Sequence, residues 1–533
     1  MRHPLSMPSP LCSRSVRWSA ALLVLAVLPP SRDPLAAQTA APLRSAAASI
    51  TPADIRQRIG VIADDSMMGR DTPSPGLEKT AQYVADQFKR FGLKPGGENG
   101  TWFQRYTISH RRIDPAGSHV GFMIHGKHVH ADLTRDARFS FGTVPPKEVM
   151  APAVLLGGTF TPADVRGLDV RGKAVLLVMD YSKPLPPTTL AVLQGLASGG
   201  AAGIVTISNR DSTTLARLIS AQPQIRIGVD GLDATPPVTE VHQRAIGEIL
   251  TEAGIRPDEI RAAGTLVTKP LPDLTVAFGL KDEVLSSATA PNTIGILEGS
   301  DPALRSEYLV FSAHMDHVGV AGPNGTGGCA ARGADSICNG ADDDGSGTVG
   351  VIELAEAFTR QGARPRRSVI FMTVSGEEKG LYGSSYFTEH PTVPLSQVVA
   401  DLNIDMIGRN WPDTIVAIGK EHSDLGQTLN RIAGMHKNLN MAAIDDRWPE
   451  ENFYFRSDHY NFAKKGVPIL FFFNGVHPDY HEVTDSPDKI ETDKMSRILQ
   501  LLFYLGQDVA NSPTRPKWNP ESYDKIVQKK PAA

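Results

Sequence analysis

The sequence predicts an α/β protein with a mixed, mostly parallel central sheet flanked by helices and a smaller α/β domain inserted into it. From Asn292 onward, short apolar segments typical of strands alternate with segments typical of helices. Continuously apolar strands occur where helices cover both faces of a sheet. Between about residues 113 and 269 the strand-like segments are broken by proline and glycine, which indicates a separate domain.

The elements follow one another in a regular order. Thr51 as N-cap and Pro52 at the first helical position predict a helix over "PADIRQRIGVIADD", and a second amphipathic helix ends at Gly92. In the middle block, "PAVLLGG", "KAVLLVMDY", "AGIVTIS" and "IRIGV" predict strands and "TLAVLQGLASGG" a helix. The later strands are predicted at "NTIGILEG", "YLVFSAH", "SVIFMTVS", "VVADLNIDMIG", "TIVAIG" and "VPILFFF". We therefore predict a main domain over 45–112 and 270–511, an insert over 113–269 and a C-terminal tail over 512–533.

Composition argues against two classes of partner. The 533 residues carry 54 Lys and Arg against 58 Asp and Glu, a formal net charge of -4, and contain no long basic run. Proteins that bind nucleic acid or anionic membranes need a basic surface. We therefore expect no nucleic-acid partner and, after removal of an N-terminal leader, no membrane partner. The oligomeric state is left open.

The N-terminus predicts a signal peptide over residues 1–37. Arg2, Arg14 and Arg17 precede a short apolar segment at 18–28, and small residues suitable for cleavage follow at 35–40. The apolar segment is too short to span a bilayer, which favours a removed signal peptide over a retained membrane anchor. We expect a secreted or periplasmic mature chain.

Cys329 and Cys338 are the two cysteines that remain after such processing. In an oxidising compartment, two cysteines so close in sequence predict a local disulfide. Metal binding by the pair is the alternative, but it needs further ligands at closer spacing. A disulfide would stiffen the loop that leads to three adjacent aspartates.

Potential metal ligands recur at the ends of the predicted strands. In open α/β sheets, ligands bind at the carboxyl ends of strands. The candidates are His314, Asp316 and His317, the acidic run Asp342, Asp343 and Asp344, the pair Glu377 and Glu378, and the single residues Asp405 and His481. Each has a structural explanation when taken alone, but buried carboxylates without cations are costly. A set of two histidines and three carboxylates drawn from these candidates would suit zinc, and two ions could share such a set if one carboxylate bridged them.

The acidic run also resembles a calcium-binding EF-hand loop. Counting from Asp342, the spacing to Asp344, Ser346 and Glu353 fits that pattern. An EF-hand needs a helix before its loop, however, and "GTGGCAARGADSICNG" contains too many glycines to form one. Glu353 also falls well inside the helix predicted to follow. The sequence therefore argues against calcium.

Six motifs together resemble the secreted dinuclear-zinc aminopeptidases, whose larger group includes glutamate carboxypeptidase and the transferrin-receptor ectodomain. The motifs are His314-x-Asp316, "GADDDGSG", "SGEEKGLYGS", "NIDMIG", "RSDHYNFAKKGVPILFF" and "YHEVTDSPDKI". The resemblance extends from about Asn292 to about Ile490, and "MMGRDTPSPG" resembles the start of the same domain. The inserted block, with "DVRGKAVLLVMDY" and "GLASGGAAGIVTIS", resembles a protease-associated domain.

The resemblance implies two zinc ions per chain and peptide substrates. By this resemblance, His314 and Asp405 would bind one zinc ion, Glu378 and His481 would bind the other, and Asp343 would bridge the two. Glu377 would act as the general base. Asp316 would orient His314, and Arg456 and Tyr480 would polarise the substrate carbonyl. Asp458, His459 and His317 are expected to order loops rather than bind metal. The resemblance also implies a cis peptide bond between Asp343 and Asp344.

The implied reaction is peptide hydrolysis by a zinc-bound water that Glu377 activates, with release of N-terminal residues. Side chains of adjacent residues in an extended segment point in opposite directions, so Glu377 and Glu378 are expected to take different roles. Three alternatives stay open. A carboxypeptidase would use the same metals, a glutaminyl cyclase would use one zinc, and a non-catalytic binding protein would be expected to have lost ligands.

Overall fold

The structure is a computed structural model that describes residues 34–165, 167–186, 188–221, 225–232, 234–322 and 328–527. The predicted signal peptide lies outside these ranges except for its last four residues, which begin a helix. The α-helices are α1 Pro34–Ala47, α2 Pro52–Ile62, α3 Pro75–Arg90, α4 Pro162–Val165, α5 Thr189–Ser198, α6 Ser212–Ser220, α7 Gly247–Glu252, α8 Pro257–Arg261, α9 Gly345–Thr359, α10 Tyr382–Glu389, α11 Leu425–Met435, α12 His459–Ala463, α13 Thr492–Asn511 and α14 Pro520–Ile526. Within the described ranges, no helix combines the length and apolar character that crossing a membrane requires.

The strands form two sheets. They are β1 Lys94–Pro95, β2 Phe103–Ile113, β3 His119–Ile124, β4 Lys127–Asp132, β5 Ala137–Phe141, β6 Val149–Gly158, β7 Ala174–Val178, β8 Gly203–Ser208, β9 Ile225–Val229, β10 Val238–His242, β11 Leu266–Gly279, β12 Asp282–Leu297, β13 Tyr308–His314, β14 Ser368–Val374, β15 Val398–Ile404, β16 Thr414–Ile418, β17 Ala442–Ile444 and β18 Ile469–Phe472. The larger sheet has the order β17-β16-β18-β15-β13-β14-β12-β2-β9, with β1 paired to β12, and the smaller sheet has the order β4-β3-β11-β6-β7-β8-β10-β5.

The larger sheet is mixed, and its parallel centre consists of β14, β13, β15 and β18. Antiparallel β12, β2 and β9 extend it on one side, and β16 joins β18 antiparallel on the other. The predicted α/β class with a mixed sheet is confirmed. Because β14, β13, β15 and β18 run in the same direction, their carboxyl ends meet at one edge, where the predicted ligands follow.

Helices cover both faces of this sheet. Along β13, Leu309 and Phe311 pack into a core with α2, α9 and α13, whereas Val310 packs into a second core with α10 and α12. This alternation follows from the two-residue period of a strand. Thr51 caps α2 by accepting the backbone N–H of Asp54 at 3.1 Å, and Pro52 occupies the first turn, as the sequence predicted.

The smaller sheet holds a core of its own, with Phe122 and Phe278 among its buried side chains. Its strands extend from His119 to Gly279, so the predicted boundary at residue 269 falls inside β11. The segment "IRIGV" lies elsewhere than the sequence suggested. It forms β9, which pairs with β2 at the edge of the larger sheet.

The predicted C-terminal tail packs against the main domain over part of its length. The Trp518 indole donates to the backbone oxygen of Gly466 at 2.9 Å, and Arg515 forms an ion pair with Glu307 at 2.8 Å. Helix α14 follows, and its residue Ile526 is buried in the core beneath α10 and α12. These contacts place the described part of the tail against the folded domain.

Candidate metal centre

The predicted ligands meet at the carboxyl edge of the parallel strands. His314 is the last residue of β13, Asp405 follows β15 directly, and Glu377 and Glu378 lie in the loop after β14. Asp343 lies just before α9. His481, in the loop after β18, has a left-handed backbone conformation with φ of 57°. Five separate segments of the chain therefore supply the side chains of one cluster.

One group of potential ligands surrounds His314. Its Nε2 lies 3.4 Å from Asp343 Oδ1 and 3.6 Å from Asp405 Oδ1. All three residues are buried. The three ligand atoms lie within 4.8 Å of one another, a spacing that permits all three to contact one ion.

A second group lies on the other side of Asp343. His481 Nε2 is 3.1 Å from Asp343 Oδ2 and 3.2 Å from Glu378 Oε2. His317 completes this group, with Nδ1 3.0 Å from Glu378 Oε1 and 3.6 Å from Asp343 Oδ2. Asp343 thus presents one carboxylate oxygen to each group, which is the arrangement a bridging ligand requires.

The residues of this cluster fit divalent metal ions. Asp343 Oδ2 and His481 Nε2 are buried and have no hydrogen-bond partner among the described residues, although they approach closely. Burial opposes ionisation of Asp343, but His317, His314 and His481 outweigh it and hold the pKa of its carboxyl well below the usual value. Imidazole and carboxylate ligands in groups of three or four suit zinc.

The other two aspartates of the acidic run hold the loop in place. Asp342 Oδ1 accepts the backbone N–H of Gly408 at 2.6 Å. Asp344 caps α9 by accepting the N–H of Gly347 at 2.8 Å and also accepts the N–H of His314 at 3.2 Å. The structure has the cis peptide bond between Asp343 and Asp344 that the family resemblance implied. The run therefore supplies one candidate ligand and two loop supports.

Arg70 also holds the loop of the acidic run in place, and this role was not predicted from the sequence. Its side chain is fully buried, and burial lowers the pKa of the guanidinium while Asp343 and neighbouring aspartates oppose that shift. The guanidinium donates to the backbone oxygens of Ile62, Met315, Asn339, Gly340 and Asp343 at 2.5–3.4 Å. Arg70 thereby joins the loop after β13 to the acidic run. The available sequence signal for Arg70 was its position in "MMGRDTPSPG", the segment that resembles the start of the family's domain.

Asp316 connects the loop of His314 to that of Glu377. Its carboxylate accepts the N–H of Gly376 at 2.8 Å, the N–H of Glu377 at 3.3 Å and the hydroxyl of Thr72 at 2.9 Å. His314 Nδ1 lies 3.2 Å from the backbone oxygen of Asp316 and 3.7 Å from its carboxylate. The backbone oxygen is therefore the nearer acceptor for the imidazole, and the carboxylate mainly positions the Glu377 loop.

Glu377 faces a cavity beside the first ligand group. The cavity is lined by His314, Asp343, Glu377, Asp405, Met406, Phe453, Arg456, Ser457, Phe471, Phe473, Val476 and Tyr480. Burial and the negative charge of Glu378 raise the pKa of the Glu377 carboxyl well above its usual value. Glu378 belongs to the second ligand group instead, so the two adjacent glutamates have different surroundings.

Tyr480 and Arg456 both reach the cavity. The Tyr480 ring stacks on His481 at 4.0 Å between centroids, and burial raises the pKa of its hydroxyl. Arg456 is half-exposed, lies over the ring of Phe453 and forms an ion pair with Glu451 at 3.3 Å. A role at a substrate carbonyl stays a prediction for both residues.

The three residues expected to order loops differ in their surroundings. His459 Nε2 lies 2.8 Å from the backbone oxygen of Tyr454, and Asp458 accepts the hydroxyl of Ser384 at 2.5 Å. The first contact ties the start of α12 to the turn before it, and the second ties the same helix start to α10. His317 instead directs Nδ1 at the second ligand group. The close repeat of histidine in "HMDH" was the only sequence signal for this placement.

Cys329 and Cys338 form a disulfide in the structure. Both are buried with Val318 and Val483 in a small separate cluster. Val483 lies two residues after His481, so the disulfide packs against the loop that carries this candidate ligand. The cysteines are thereby structural neighbours of the centre.

Comparisons with known proteins bear on this domain. The sequence pattern of peptidase family M28 matches residues 292–506. Leupeptin-inactivating enzyme 1 of Streptomyces exfoliatus is 30% identical over 206 residues, covering 38% of this chain and 40% of the relative. Aminopeptidase YwaD of Bacillus subtilis is 24% identical over 254 residues, covering 45% and 49%. The chain thus spans about half or less of the length of these curated relatives.

Among solved structures, an aminopeptidase from Aneurinibacillus sp. strain AM-1 is 18% identical, with coverage of 88% of this chain and 96% of that chain and a TM-score of 0.46. BSAP, a zinc aminopeptidase from Bacillus subtilis, is 17% identical, with coverage of 87% and 96% and a TM-score of 0.44. The match to the family pattern spans β13, β14, β15 and β18 and all of the clustered ligand candidates. Residues 292–506 are therefore a domain of peptidase family M28.

Proposed function

We propose that the protein is a zinc-dependent aminopeptidase that binds two zinc ions per chain. The observation that carries the proposal is the position of Asp343, which offers one oxygen to each of two ligand groups beside Glu377. His314 and Asp405 would hold one ion together with Asp343, and Glu378 and His481 would hold the other. The curated relatives include proteins named as aminopeptidases, which supports this reaction.

The chain's own residues supply proton transfer and orientation. Bound zinc would lower the pKa of water to about 7 and polarise a carbonyl oxygen. The Glu377 carboxyl lines the cavity and belongs to neither ligand group, so it is free to accept a proton from the attacking water. The same carboxyl then donates this proton to the departing amine. Asp316 fixes the Glu377 loop for both transfers through the N–H groups that it accepts.

The cavity beside Glu377 favours an apolar N-terminal residue in the substrate. Phe453, Phe471 and Phe473 form much of its wall, and their rings lie against one another, with centroids of Phe453 and Phe473 4.9 Å apart. An apolar side chain would gain about 25 cal/mol for each Å² removed from water there. Arg456 and Tyr480 lie at the same cavity and would orient the peptide carbonyl.

Cellular location and the identity of the inserted domain belong to the same proposal. Secretion or periplasmic location rests on the N-terminal sequence, and it agrees with a disulfide between Cys329 and Cys338. The smaller sheet is proposed to be a protease-associated domain because its sequence carries the quoted resemblance.

The test pairs metal analysis with a panel of peptides. We expect two zinc ions per chain and cleavage of peptides with a free N-terminus, including peptides with an amidated C-terminus. A carboxypeptidase would instead require the free C-terminus, and a cyclase would contain one zinc and release no amino acid. No hydrolysis of any free peptide by the zinc-loaded protein would refute the proposal.

A further inference from the structure

A large cavity lies where the catalytic loop meets the inserted domain. Its volume is about 980 Å³, and it adjoins Lys379 and Tyr382, which closely follow Glu377 and Glu378. Ligand cavities typically have volumes of about 300–1,000 Å³. The opposite wall includes β9 and the segment after β5. The space is thus large enough for several residues of a peptide.

Two arginines face this cavity from directly opposed strand positions. Arg111 of β2 and Arg226 of β9 are register partners in the antiparallel pair. Both line the cavity. Like charges directly opposite each other destabilise a sheet, so this pairing requires a compensating anion.

The surrounding protein supplies part of that anion. Asp282 lies between the two arginines, 3.3 Å from Arg111 Nη1 and 3.6 Å from Arg226 Nη2. Asp230 is 3.9 Å from Arg111, but its side chain is 63% exposed, where the interaction is weak. Two guanidinium groups therefore share one well-placed carboxylate.

One hydrogen-bond donor of the Arg226 side chain is unsatisfied. Its Nε is buried and has no hydrogen-bond partner within the described part of the chain. One of its other nitrogens donates to the backbone oxygen of Gly142 at 2.7 Å, and the guanidinium lies over the ring of Phe139 at 4.1 Å. These contacts orient the group, and burial strengthens its attraction for an incoming anion.

We propose that Arg111 and Arg226 bind a carboxylate of the peptide substrate in this cavity. The inference rests on the proposed peptidase function, because it places the N-terminal residue at the metal centre and the downstream residues in the cavity. Carboxylates pair with guanidinium groups through charge-assisted hydrogen bonds. The carboxylate comes from the C-terminus of a short peptide or from an acidic side chain, and Lys281 adds a further positive group to the same wall.

The test compares free and amidated peptides of increasing length. The full-length, zinc-loaded protein is given Leu-(Ala)n peptides of one to five alanines, each with a free or an amidated C-terminus. We expect kcat/KM for the free acid to exceed that for the amide by roughly tenfold or more at the length that reaches the arginines, mainly through KM. A second series, amidated and carrying Glu or Gln at each downstream position, detects binding of a side-chain carboxylate.

Substitution of Arg111 and Arg226 tests whether these residues cause the preference for a free carboxylate. In Arg111→Gln and Arg226→Gln we expect the acid-to-amide or Glu-to-Gln ratio to fall to about one, with hydrolysis of leucine p-nitroanilide changed less than twofold. Arg112→Gln is the matched control, because Arg112 neighbours Arg111 on β2, is partly exposed and pairs with Glu283. Thermal unfolding of each variant checks that the fold persists.

The outcomes separate this inference from the proposed function. Equal rates for acids and amides at every length, together with equal rates for Glu and Gln peptides, would overturn the carboxylate site while leaving the aminopeptidase intact. Failure to hydrolyse leucine p-nitroanilide and every peptide would instead refute the proposed function. Calorimetric binding of the same peptides to Glu377→Gln then still tests the site, and equal affinities for acid and amide would overturn it.

Discussion

Asp343 Oδ2 lies 3.1 Å from His481 Nε2, yet these two buried atoms make no hydrogen bond with each other or with any other described residue. Buried polar atoms are normally satisfied by a partner. Two such atoms at this separation suit joint coordination of one cation, at a metal–ligand distance of about 2.0–2.2 Å for zinc. The relationship makes Asp343 the residue on which metal binding depends most.

Substitution of Asp343 is therefore expected to remove more metal than substitution of an outer ligand. We expect Asp343→Asn to lower bound zinc from two ions per chain to fewer than one, because it contributes to both groups. Asp405→Asn should remove only the ion at His314 and leave about one. Elemental analysis after dialysis measures both, and equal zinc content in the two variants would contradict the bridging role.

Glu377→Gln is expected to lower kcat by about 10²–10⁴-fold while leaving zinc content unchanged, since the amide cannot transfer the proton. Glu378→Gln is the matched comparison at the adjacent position and should lose zinc from the second group. Steady-state kinetics and elemental analysis on the same samples separate the two effects. Activity of Glu377→Gln near that of the natural protein would show that another group moves the proton.

Arg70→Met is expected to destabilise the metal-free protein by at least about 3 kcal/mol, because it leaves several buried carbonyl oxygens without a donor. Denaturant unfolding in the presence of a chelator measures this change without a contribution from zinc. Arg90→Met is the control, since the Arg90 side chain is 59% exposed. A difference below 1 kcal/mol between Arg70→Met and the natural protein would contradict the structural role of the guanidinium.

The buried carboxyl of Asp401 makes the free energy of unfolding of the protein depend on pH. It is fully buried in β15 and accepts the hydroxyl of Ser312 at 2.7 Å, and burial raises the pKa of its carboxyl to about 8. The folded state therefore keeps a proton that the unfolded state releases above about pH 4. The stability that this carboxyl contributes is complete below about pH 4 and falls as pH rises toward 8, by at most about 1.4 kcal/mol per pH unit.

Asp401→Asn mimics the protonated carboxyl and does not titrate. We expect its stability relative to the natural protein to increase between pH 5 and pH 8, measured by denaturant unfolding with a chelator present. Asp413→Asn, at an exposed position before β16, should show no such trend. A relative stability of Asp401→Asn that stays constant or decreases with pH would contradict the raised pKa.

The parts predictable from sequence were those encoded locally. Strands such as β13 and β15 are mostly apolar, and a potential ligand lies at the carboxyl end of each, so the cluster followed from the geometry of parallel sheets. The cap at Thr51 was also a local signal. The fold class and the position of the ligand loops therefore needed no knowledge of long-range pairing.

The missed features depend on long-range contacts. The acceptors of Arg70 are mostly backbone oxygens more than 240 residues away, and backbone oxygens have no signature in sequence. "IRIGV" has the composition of any short strand, and only tertiary pairing places β9 beside β2 rather than in the inserted domain. The opposed Arg111 and Arg226 are 115 positions apart in sequence, so their register could not be derived from it.

Hydrolysis of Leu-Ala-Ala and its N-acetylated form by the zinc-loaded protein tests the aminopeptidase account most directly, with products identified by mass spectrometry. Acetylation removes the free amine and leaves the C-terminus unchanged. The account predicts release of leucine from the free peptide and no cleavage of the acetylated one. Release of the C-terminal alanine from acetyl-Leu-Ala-Ala at a comparable rate would contradict it.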